Sequence, residues 1–430
     1  MTTKNDTNTI ITNQKTDTAS SNTVTIETNG KNDKVEVTLK DVNIDTSSRN
    51  KAAVSVTGSG NTTIKLDGDN ALKSDTYRSG IYGSGSLTIS GGENDSLTAQ
   101  GGSGANGITS SGSLSISGGT VTANGDDGGH GIYSRGGVTI SGGSTVTAKG
   151  GSGTISGGDG IRSGGGLTVS DGTVTAKGGN GDSKDGSGGD GIRSGGVVTI
   201  SGNTVNAAGG YGICSFDRVA ISGGTVNAAG GDGGNGKDGG DGIYSSDIDL
   251  SGSLELTAKA GSPNGKALSQ DGKELDLDTI KEKLGPGAKV TVTDANGDSK
   301  QVSIPGPVEP EKPVIPEESS SSSDGGSAAP SAPASPLPGL TVTDKSGAVI
   351  SYTSTQSGNT LTVCVGRFTA SLRASLSALR QLRAEGIETI TFQTILCSTT
   401  LSVDELLAMG GEDAEAVLTH RLTDSCLTVG

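Results

Sequence analysis

The chain has 430 residues, of which 75 are glycine, 30% are hydrophobic and 2% are aromatic. A formal net charge of −15 argues against nucleic acid or an anionic membrane as a partner. Glycine without a strict period of three excludes a collagen-like triple helix. A hydrophobic content this low also suits a disordered chain, so the prediction of a fold depends on the fixed spacing of the apolar residues.

The first 22 residues are rich in Thr, Asn, Lys and Asp and contain no long apolar run. We expect a disordered segment over residues 1–22, with neither a signal peptide nor a membrane anchor. Strand-like runs follow at 24–26, 35–39, 42–44 and 53–56. The first folded domain is therefore predicted to begin near residue 23.

A Gly-Ile dipeptide then recurs seven times between residues 80 and 245, at intervals of 21 to 31 residues. Repeats of this length are typical of stacked supersecondary units rather than of a globular core. The isoleucines are Ile81, Ile108, Ile132, Ile161, Ile192, Ile213 and Ile243.

Each repeat carries apolar residues at constant offsets from its isoleucine. After Ile132, for example, Val138 and Ile140 follow at +6 and +8, and a Val-x-Ala run follows at Val146 and Ala148. Alternation at period two indicates strands, and most length variation falls between the third strand and the next Gly-Ile. The pattern predicts an all-β, right-handed parallel β-helix of about eight or nine coils, with three short strands per coil and insertions at one corner.

The β-helix is predicted to end near residue 304 with a terminal cap. A strand at 265–268 and a short helix at 277–284 precede two alternating runs joined by Asn296 and Gly297, a strong hairpin signal. The hairpin would cover the last coil and block edge-to-edge pairing. Residues 305–338 are rich in Pro, Ser and Glu and read as a solvated linker.

Residues 339–430 have a different composition and predict a small α+β module of unknown function. Leu372, Leu376, Leu379 and Leu382 have helical spacing that stops at Gly386, and a strand is expected at 387–392. A capping box at 402–405 starts a second helix, and paired strands are expected at 341–353 and 360–365. We find no catalytic constellation in this module.

The four cysteines show no zinc-type spacing. Cys214 is alone in the repeats, and Cys364, Cys397 and Cys426 lie in the C-terminal module. They read as buried small hydrophobes, with one disulfide among the last three as the alternative.

The residue after each Gly-Ile isoleucine should point outward and align with its counterparts in neighbouring coils. Aromatic rings pack against the C–H faces of sugars, and guanidinium groups donate to their oxygens. Ordinary outer-face packing of β-formers is the alternative. The predicted carbohydrate-binding residues in this column are Tyr82, Tyr133, Arg162, Arg193 and Tyr244.

A second column, just before each Gly-Ile and also expected to be exposed, contains Asp159 and Asp190, which would lie ~4.8 Å apart in neighbouring coils. A bound cation or the nearby arginines could offset their repulsion; the alternative is ordinary Asp-Gly turn chemistry with the arginines as counter-ions. Residues 233–238 match the first six positions of a calcium-binding nonapeptide, but Gly240 replaces its large apolar residue. The predicted Ca²⁺ ligands are Asp159, Asp190, Asp232, Asp238 and Asp241, with Asp182 and Asp185 nearby in another loop.

Residues 42–45, the Leu-Asp-Gly-Asp-Asn segment within 64–74 and the Gly-Ile repeats together resemble a known family. Residues 23–260 are similar to the carbohydrate-binding β-helix domain of clostridial and other Firmicutes surface proteins, whose fold is pectate-lyase-like. The resemblance implies extracellular or cell-surface display, binding of cellulose or pectin, and calcium as a structural ion. The C-terminal module resembles one appended to similar gut-bacterial proteins.

Three functions follow from these observations. The favoured one is a non-catalytic, adhesin-like polysaccharide-binding protein, monomeric and without membrane insertion. The alternative is a polysaccharide lyase in which Asp159 and Asp190 hold calcium and Arg162 or Arg193 acts as the base. A passive spacer that needs no site is the third.

Overall fold

The computed structural model describes residues 9–13, 18–181, 188–202, 204–233, 237–306, 339–344, 347–350, 352–357, 359–365, 369–394, 398–409, 414–420 and 425–429. The chain divides into two units, residues 1–311 and 312–430. The predicted linker at 305–338 lies almost wholly outside the described residues.

The first unit is a parallel β-solenoid of three sheets, which each turn of the chain visits in the order sheet 1, sheet 2, sheet 3. Sheet 1 consists of Val24–Glu27, Val54–Thr57, Ile81–Gly83, Ile108–Ser110, Ile132–Ser134, Ile161–Ser163, Ile192–Ser194, Ile213–Ser215, Ile243–Ser245, Leu268–Gln270 and the antiparallel Lys273–Glu274. Sheet 2 consists of Thr9–Thr12, Lys34–Lys40, Asn61–Asp67, Leu87–Ser90, Leu114–Ser117, Val138–Ser141, Leu167–Val169, Val198–Ile200, Arg218–Ile221 and Asp247–Leu250. Sheet 3 consists of Asn43–Asp45, Asp69–Lys73, Ser96–Gln100, Thr120–Asn124, Ser144–Lys149, Gly172–Lys177, Thr204–Gly209, Gly224–Gly230, Leu254–Lys259, Lys289–Thr293 and the antiparallel Ser299–Ser303.

The core confirms the fold class predicted from the repeat. Ile132 in sheet 1, Val138 and Ile140 in sheet 2, and Val146 and Ala148 in sheet 3 are all buried inside the same turn. Equivalent residues stack in register from turn to turn, so each apolar offset becomes a continuous inner ridge. Among the described residues, nine consecutive turns contain all three strands, and incomplete turns at both ends make the solenoid longer than the eight or nine coils expected.

The solenoid begins earlier than residue 23. Thr9–Thr12 is a strand that pairs in parallel with Lys34–Lys40, so the prediction of a disordered segment over residues 1–22 is wrong at this point. A pair of isoleucines among polar residues was too short to signal a strand in the sequence.

The C-terminal end of the solenoid carries the expected hairpin. Its first strand, Lys289–Thr293, continues sheet 3 in parallel, and Ser299–Ser303 returns antiparallel to it. The helix before the hairpin, Leu277–Lys283, is a 3₁₀-helix capped by the Asp276 side chain.

Glycine is required at the corner between sheets 3 and 1, where backbone atoms of neighbouring turns lie close together. A Cβ atom on Gly158 would lie 2.0 Å from the carbonyl oxygen of Gly129 in the turn before it. A Cβ atom on Gly189 would lie 1.9 Å from the carbonyl oxygen of Gly158. Side chains are therefore excluded there by backbone contact between turns.

The second unit is an α+β fold around its own core. Its five-stranded sheet has the order Val349–Ile350, Leu340–Thr343, Ala370–Ser375, Glu415–His420, Ser425–Val429, and its four-stranded sheet the order Thr353–Ser357, Thr360–Cys364, Thr389–Gln393, Ser398–Ser402. The helices are Leu376–Ala384 and Val403–Met409. Leu372, predicted to begin the first helix, lies in the preceding strand because 370–375 alternates between buried and partly buried residues.

Two further expectations concern the cysteines and the membrane. Cys214 and Cys364 are free thiols, whereas Cys397 and the side chain of Cys426 lie outside the described residues. Within the described part of the chain, no helix combines the length and apolar character needed to cross a membrane.

Candidate functional site

The outward residues of sheet 1 form one straight column, as the Gly-Ile alignment predicted. Register pairs Tyr82 with Thr109, Thr109 with Tyr133, Tyr133 with Arg162 and Arg162 with Arg193. The column continues through Cys214 to Tyr244. It therefore contains all five predicted carbohydrate-binding residues on a single face of the solenoid.

An open cleft of about 690 Å³ lies along the N-terminal half of this face. Its floor is the outward column of sheet 1, and it also includes Thr25 and Ser55 from the turns before Tyr82. Because neighbouring strands are ~4.8 Å apart, the floor from Thr25 to Tyr133 extends about 19 Å along the solenoid axis. The cleft is thus a groove that spans five turns.

The wall of the cleft comes from the corner between sheets 3 and 1, where the sequence places its insertions. Tyr77 is 78% exposed and has a left-handed backbone conformation, with φ of 58°. Its ring lies against Gly104, where a Cβ atom would come within 2.8 Å of Tyr77 Cε1. Arg78 donates to the side-chain oxygen of Asn50 over 3.4 Å.

The described lining of the cleft contains two cationic residues, Lys51 and Arg78, and no Asp or Glu. In a chain with a net charge of −15, this composition is unusual. The remaining lining consists of hydroxyl and amide side chains, the three tyrosine rings, and the small residues Ala52, Gly104 and Ala105. Such a surface offers aromatic faces and hydrogen-bonding groups together.

The second predicted column, before each Gly-Ile, is a ladder of side chains that accept backbone N–H groups from the next turn. The Asn106 side-chain oxygen accepts from His130 N–H (2.7 Å), and His130 Nδ1 accepts from Asp159 N–H (2.8 Å). Asp159 Oδ1 accepts from Asp190 N–H, and Asp190 Oδ1 from Tyr211 N–H, both at 2.8 Å. This column was expected to be exposed, but Asp159 and Asp190 are only 4% and 3% exposed.

The second oxygen of each of these aspartates faces the arginine of its own turn. Asp159 Oδ2 accepts from Arg162 Nη1 at 3.2 Å, and Asp190 Oδ2 accepts from Arg193 Nη1 at 2.9 Å. Burial and the charge of Asp159 raise the pKa of Asp190 to about 6, against the opposing effects of the Tyr211 N–H and Arg193. The arginines and turn hydrogen bonds therefore engage both carboxylates, as the turn-chemistry alternative proposed.

His130 occupies the same ladder as a neutral ring. An Nδ1 atom that accepts the Asp159 N–H carries no proton, so the 3.5 Å contact between Nδ1 and Asp159 Oδ2 is not an ion pair. Burial lowers the pKa of His130, and Asp159 only partly offsets this effect. The ring stacks on Tyr133 with centroids 5.7 Å apart, which orients the tyrosine at the end of the cleft.

The other predicted calcium ligands do not lie together with Asp159 and Asp190 around a common point. Asp232 accepts from Ser262 N–H, Asp238 accepts from the Asn264 side chain, and Asp241 accepts from Lys266 N–H. Within the described residues, no group of three or more Asp, Glu, His or Cys side chains converges on a possible metal position. Asp182 and Asp185 lie outside the described residues. The structure thus does not bring the five aspartates together as ligands of one ion.

Two residues of this face, Tyr77 and Phe216, were missed by the sequence analysis. Phe216 is 58% exposed and lies under the Arg193 guanidinium, whose Cζ is 5.0 Å from the ring centroid. Both residues lie outside the two columns that flank the Gly-Ile dipeptides, so aligning the repeats could not find them. Aromatic residues in a chain with only 2% aromatics were the available signal.

A family model described as Beta helix repeat matches residues 114–132 and 198–213. No curated protein and no solved structure shows significant similarity to the chain. Each matched segment begins in sheet 2, passes through sheet 3 and ends at the isoleucine that begins the next strand of sheet 1. Together, the match and the solenoid support a parallel β-helix family for this chain.

Proposed function

We propose that the protein is a non-catalytic polysaccharide-binding protein and that the cleft on sheet 1 is its binding site. The observation that carries this proposal is the cleft itself, in which Tyr77, Tyr82 and Tyr133 are surrounded by hydroxyl and amide groups. Sugar rings present C–H faces and hydroxyl groups together, and binding sites for such ligands combine apolar faces with a few fixed polar groups. An extended groove suits a polymer better than a small molecule.

A surface location extends the proposal. A protein that binds cell-wall glycans such as cellulose or pectin must act outside the cell, and a net charge of −15 is compatible with that setting. The long, regular solenoid would then serve as the scaffold that holds the cleft open along its axis.

The binding step in this proposal depends on no metal. The described lining of the cleft has no carboxylate, and the ladder aspartates are hydrogen-bonded to backbone and arginine groups. We therefore expect a chelator to leave glycan binding unchanged. Loss of binding in the chelator would instead indicate a structural or bridging cation.

The test is affinity electrophoresis of the full chain through gels that contain cellulose derivatives, pectin or other plant polysaccharides. Tyr82→Ala should weaken binding five- to thirtyfold, because truncating a central aromatic contact costs about 1–2 kcal/mol. Ile155→Ala is the matched control, since Ile155 is 84% exposed but does not line the cleft.

Three outcomes would contradict the proposal. Retardation by none of the polysaccharides would favour the passive spacer, and equal retardation of Tyr82→Ala and wild type would remove the cleft as the site. Release of unsaturated products that absorb in the ultraviolet would make the protein a lyase.

A further inference from the structure

A second aromatic cluster lies on sheet 1 at the far end from the cleft. Tyr211 and Tyr244, from adjacent turns, stack with centroids 5.4 Å apart. Phe216 follows the sheet 1 strand of the same turn as Tyr211; it is 58% exposed and lies against the Arg193 guanidinium. We call these residues, Tyr211, Phe216 and Tyr244, the distal cluster.

The distal cluster and the cleft are fixed at a known separation by the register of sheet 1. Four successive strand pairings lead from Tyr133 to Tyr244, which corresponds to about 19 Å at ~4.8 Å per pairing. Six pairings lead from Tyr82 to Tyr244, or about 29 Å. Tyr82 and Tyr133 of the cleft and Tyr244 of the distal cluster therefore lie in one column parallel to the solenoid axis.

Between the two groups the surface offers hydrogen-bond donors. Arg162 and Arg193 are the charged residues of the outward column, and their side chains are 44% and 32% exposed. Each donates through Nη1 to the carboxylate behind it, so the guanidinium planes are held in place while the carboxylates stay buried. The charge presented outward along this stretch of the column is positive, which suits the oxygen-rich surface of a glycan.

A peptide is the less suitable occupant. Extended peptides gain affinity by adding a strand to a free sheet edge. This surface is the face of sheet 1, whose strands from Tyr82 to Tyr244 are each paired on both sides. A ligand here must bind through its side groups, as a chain of sugar rings does.

We infer that one extended saccharide chain lies parallel to the solenoid axis and contacts both the cleft and the distal cluster. The inference rests on the proposed function and adds to it the direction of the chain, the distal site and a minimum length. A short oligosaccharide reaches the cleft alone. A chain of ~29 Å or more reaches from Tyr82 to Tyr244.

Occupancy of two linked sites makes affinity depend on length. Binding of the second part of one chain is an intramolecular step, and such linkage raises affinity by about 10²-fold or more. Removing the distal cluster should abolish this gain without changing the affinity of short chains. If the cleft were the sole binding site, affinity would show no such stepwise increase with the length of the saccharide, which we call the length step.

The experiment is isothermal titration of the full chain with size-fractionated cello-oligosaccharides and oligogalacturonides. For the series that binds, we expect the dissociation constant to fall about 100-fold as the extended length rises from ~19 Å, which joins Tyr133 to Tyr244, to ~29 Å, which joins Tyr82 to Tyr244. Phe216→Ala and, separately, Tyr211→Ala should remove most of that fall and leave the shortest binding oligosaccharide unaffected. Ile155→Ala should behave as wild type.

The outcomes separate the two proposals. Binding without a length step, or a length step unchanged in both distal variants, would overturn the extended-chain inference and leave the cleft as a binding site. Weaker binding of the shortest oligosaccharide in both distal variants would also overturn it, because the two sites would then not be independent. No binding by any oligosaccharide of either series would overturn the inference together with the proposed function.

Discussion

Replacing Asp190 by asparagine should change how the stability of the solenoid depends on pH. Asp190 is 3% exposed and lies one turn from Asp159 in the buried ladder. Asparagine keeps a side-chain oxygen that can accept the Tyr211 N–H, and it removes the buried charge. The variant therefore isolates the effect of ionisation.

The direction of the pH effect follows from the pKa of Asp190 in the folded and unfolded states. Burial and the neighbouring Asp159 raise the pKa of Asp190 from its ordinary value of 3.8 to about 6 in the folded protein. Between these values the folded state binds more protons at this site than the unfolded state does. Stability from Asp190 is therefore fully present below pH 3.8 and is lost as pH rises through about 6.

The size of the stability change comes from the same difference in pKa. A pKa change from 3.8 to about 6, at about 1.4 kcal/mol per pKa unit, corresponds to about 3 kcal/mol. The free energy of unfolding of wild type minus that of Asp190→Asn should rise by up to this amount between pH 8 and pH 4.

Urea unfolding followed by tyrosine fluorescence provides the assay. Five of the six tyrosines lie in the solenoid and the chain has no tryptophan, so the signal reports mainly on this unit. Asp217→Asn, at an exposed position of the same solenoid, is the matched control for loss of a carboxylate. A difference between wild type and Asp190→Asn that stays flat from pH 8 to pH 4, or that falls, would refute the reasoning.

Two further predictions concern the ladder and the corner beside it. The free energy of unfolding of wild type minus that of His130→Asn should fall as pH drops below 6.5, because burial lowers the pKa of His130 and a protonated ring cannot accept at Nδ1. A difference that does not change with pH would argue against this role. Gly158→Ala should lower the free energy of unfolding by about 1–3 kcal/mol, because its Cβ atom would lie 2.0 Å from the Gly129 carbonyl oxygen, whereas Gly306→Ala, with open space around it, should have little effect in the same urea titrations.

The solenoid could be predicted because its inward positions obey a simple rule. An isoleucine after glycine, followed by apolar residues at +6 and +8, requires strands and corners of constant length within each turn. In the structure, Ile161, Leu167 and Val169 are all fully buried, as that rule requires. The insertions fall at the corner between sheets 3 and 1, the one place where added length leaves the inner ridges in register.

The buried ladder could not be predicted from the same pattern. Polar residues before the Gly-Ile dipeptide suggested exposure, because charged side chains are seldom buried without partners. The partners are the backbone N–H of the next turn and an arginine three residues later, and both depend on how the corner folds. Asn106, His130 and Asp159 share a short side chain with a hydrogen-bond acceptor, which is the signal that a reader of the sequence could have used.

The cleft could not be predicted from the sequence for a different reason. Its floor follows from the outward column, but its wall comes from corner segments that differ in every turn. Tyr77 lies in a corner segment with a left-handed backbone conformation, so aligning the repeats does not predict its position. The distal Phe216 is likewise a single substitution at a corner position occupied by small or polar residues in most other turns.

The central claim is that sheet 1 carries the binding face, and hydrogen exchange of the full chain with and without a bound plant polysaccharide tests it most directly. We predict slower amide exchange in residues 50–55, 76–82 and 103–109, which form the wall and floor of the cleft, and unchanged exchange at the solvent-facing corners between sheets 2 and 3. Protection confined to sheet 2, to sheet 3 or to the C-terminal unit would contradict the account.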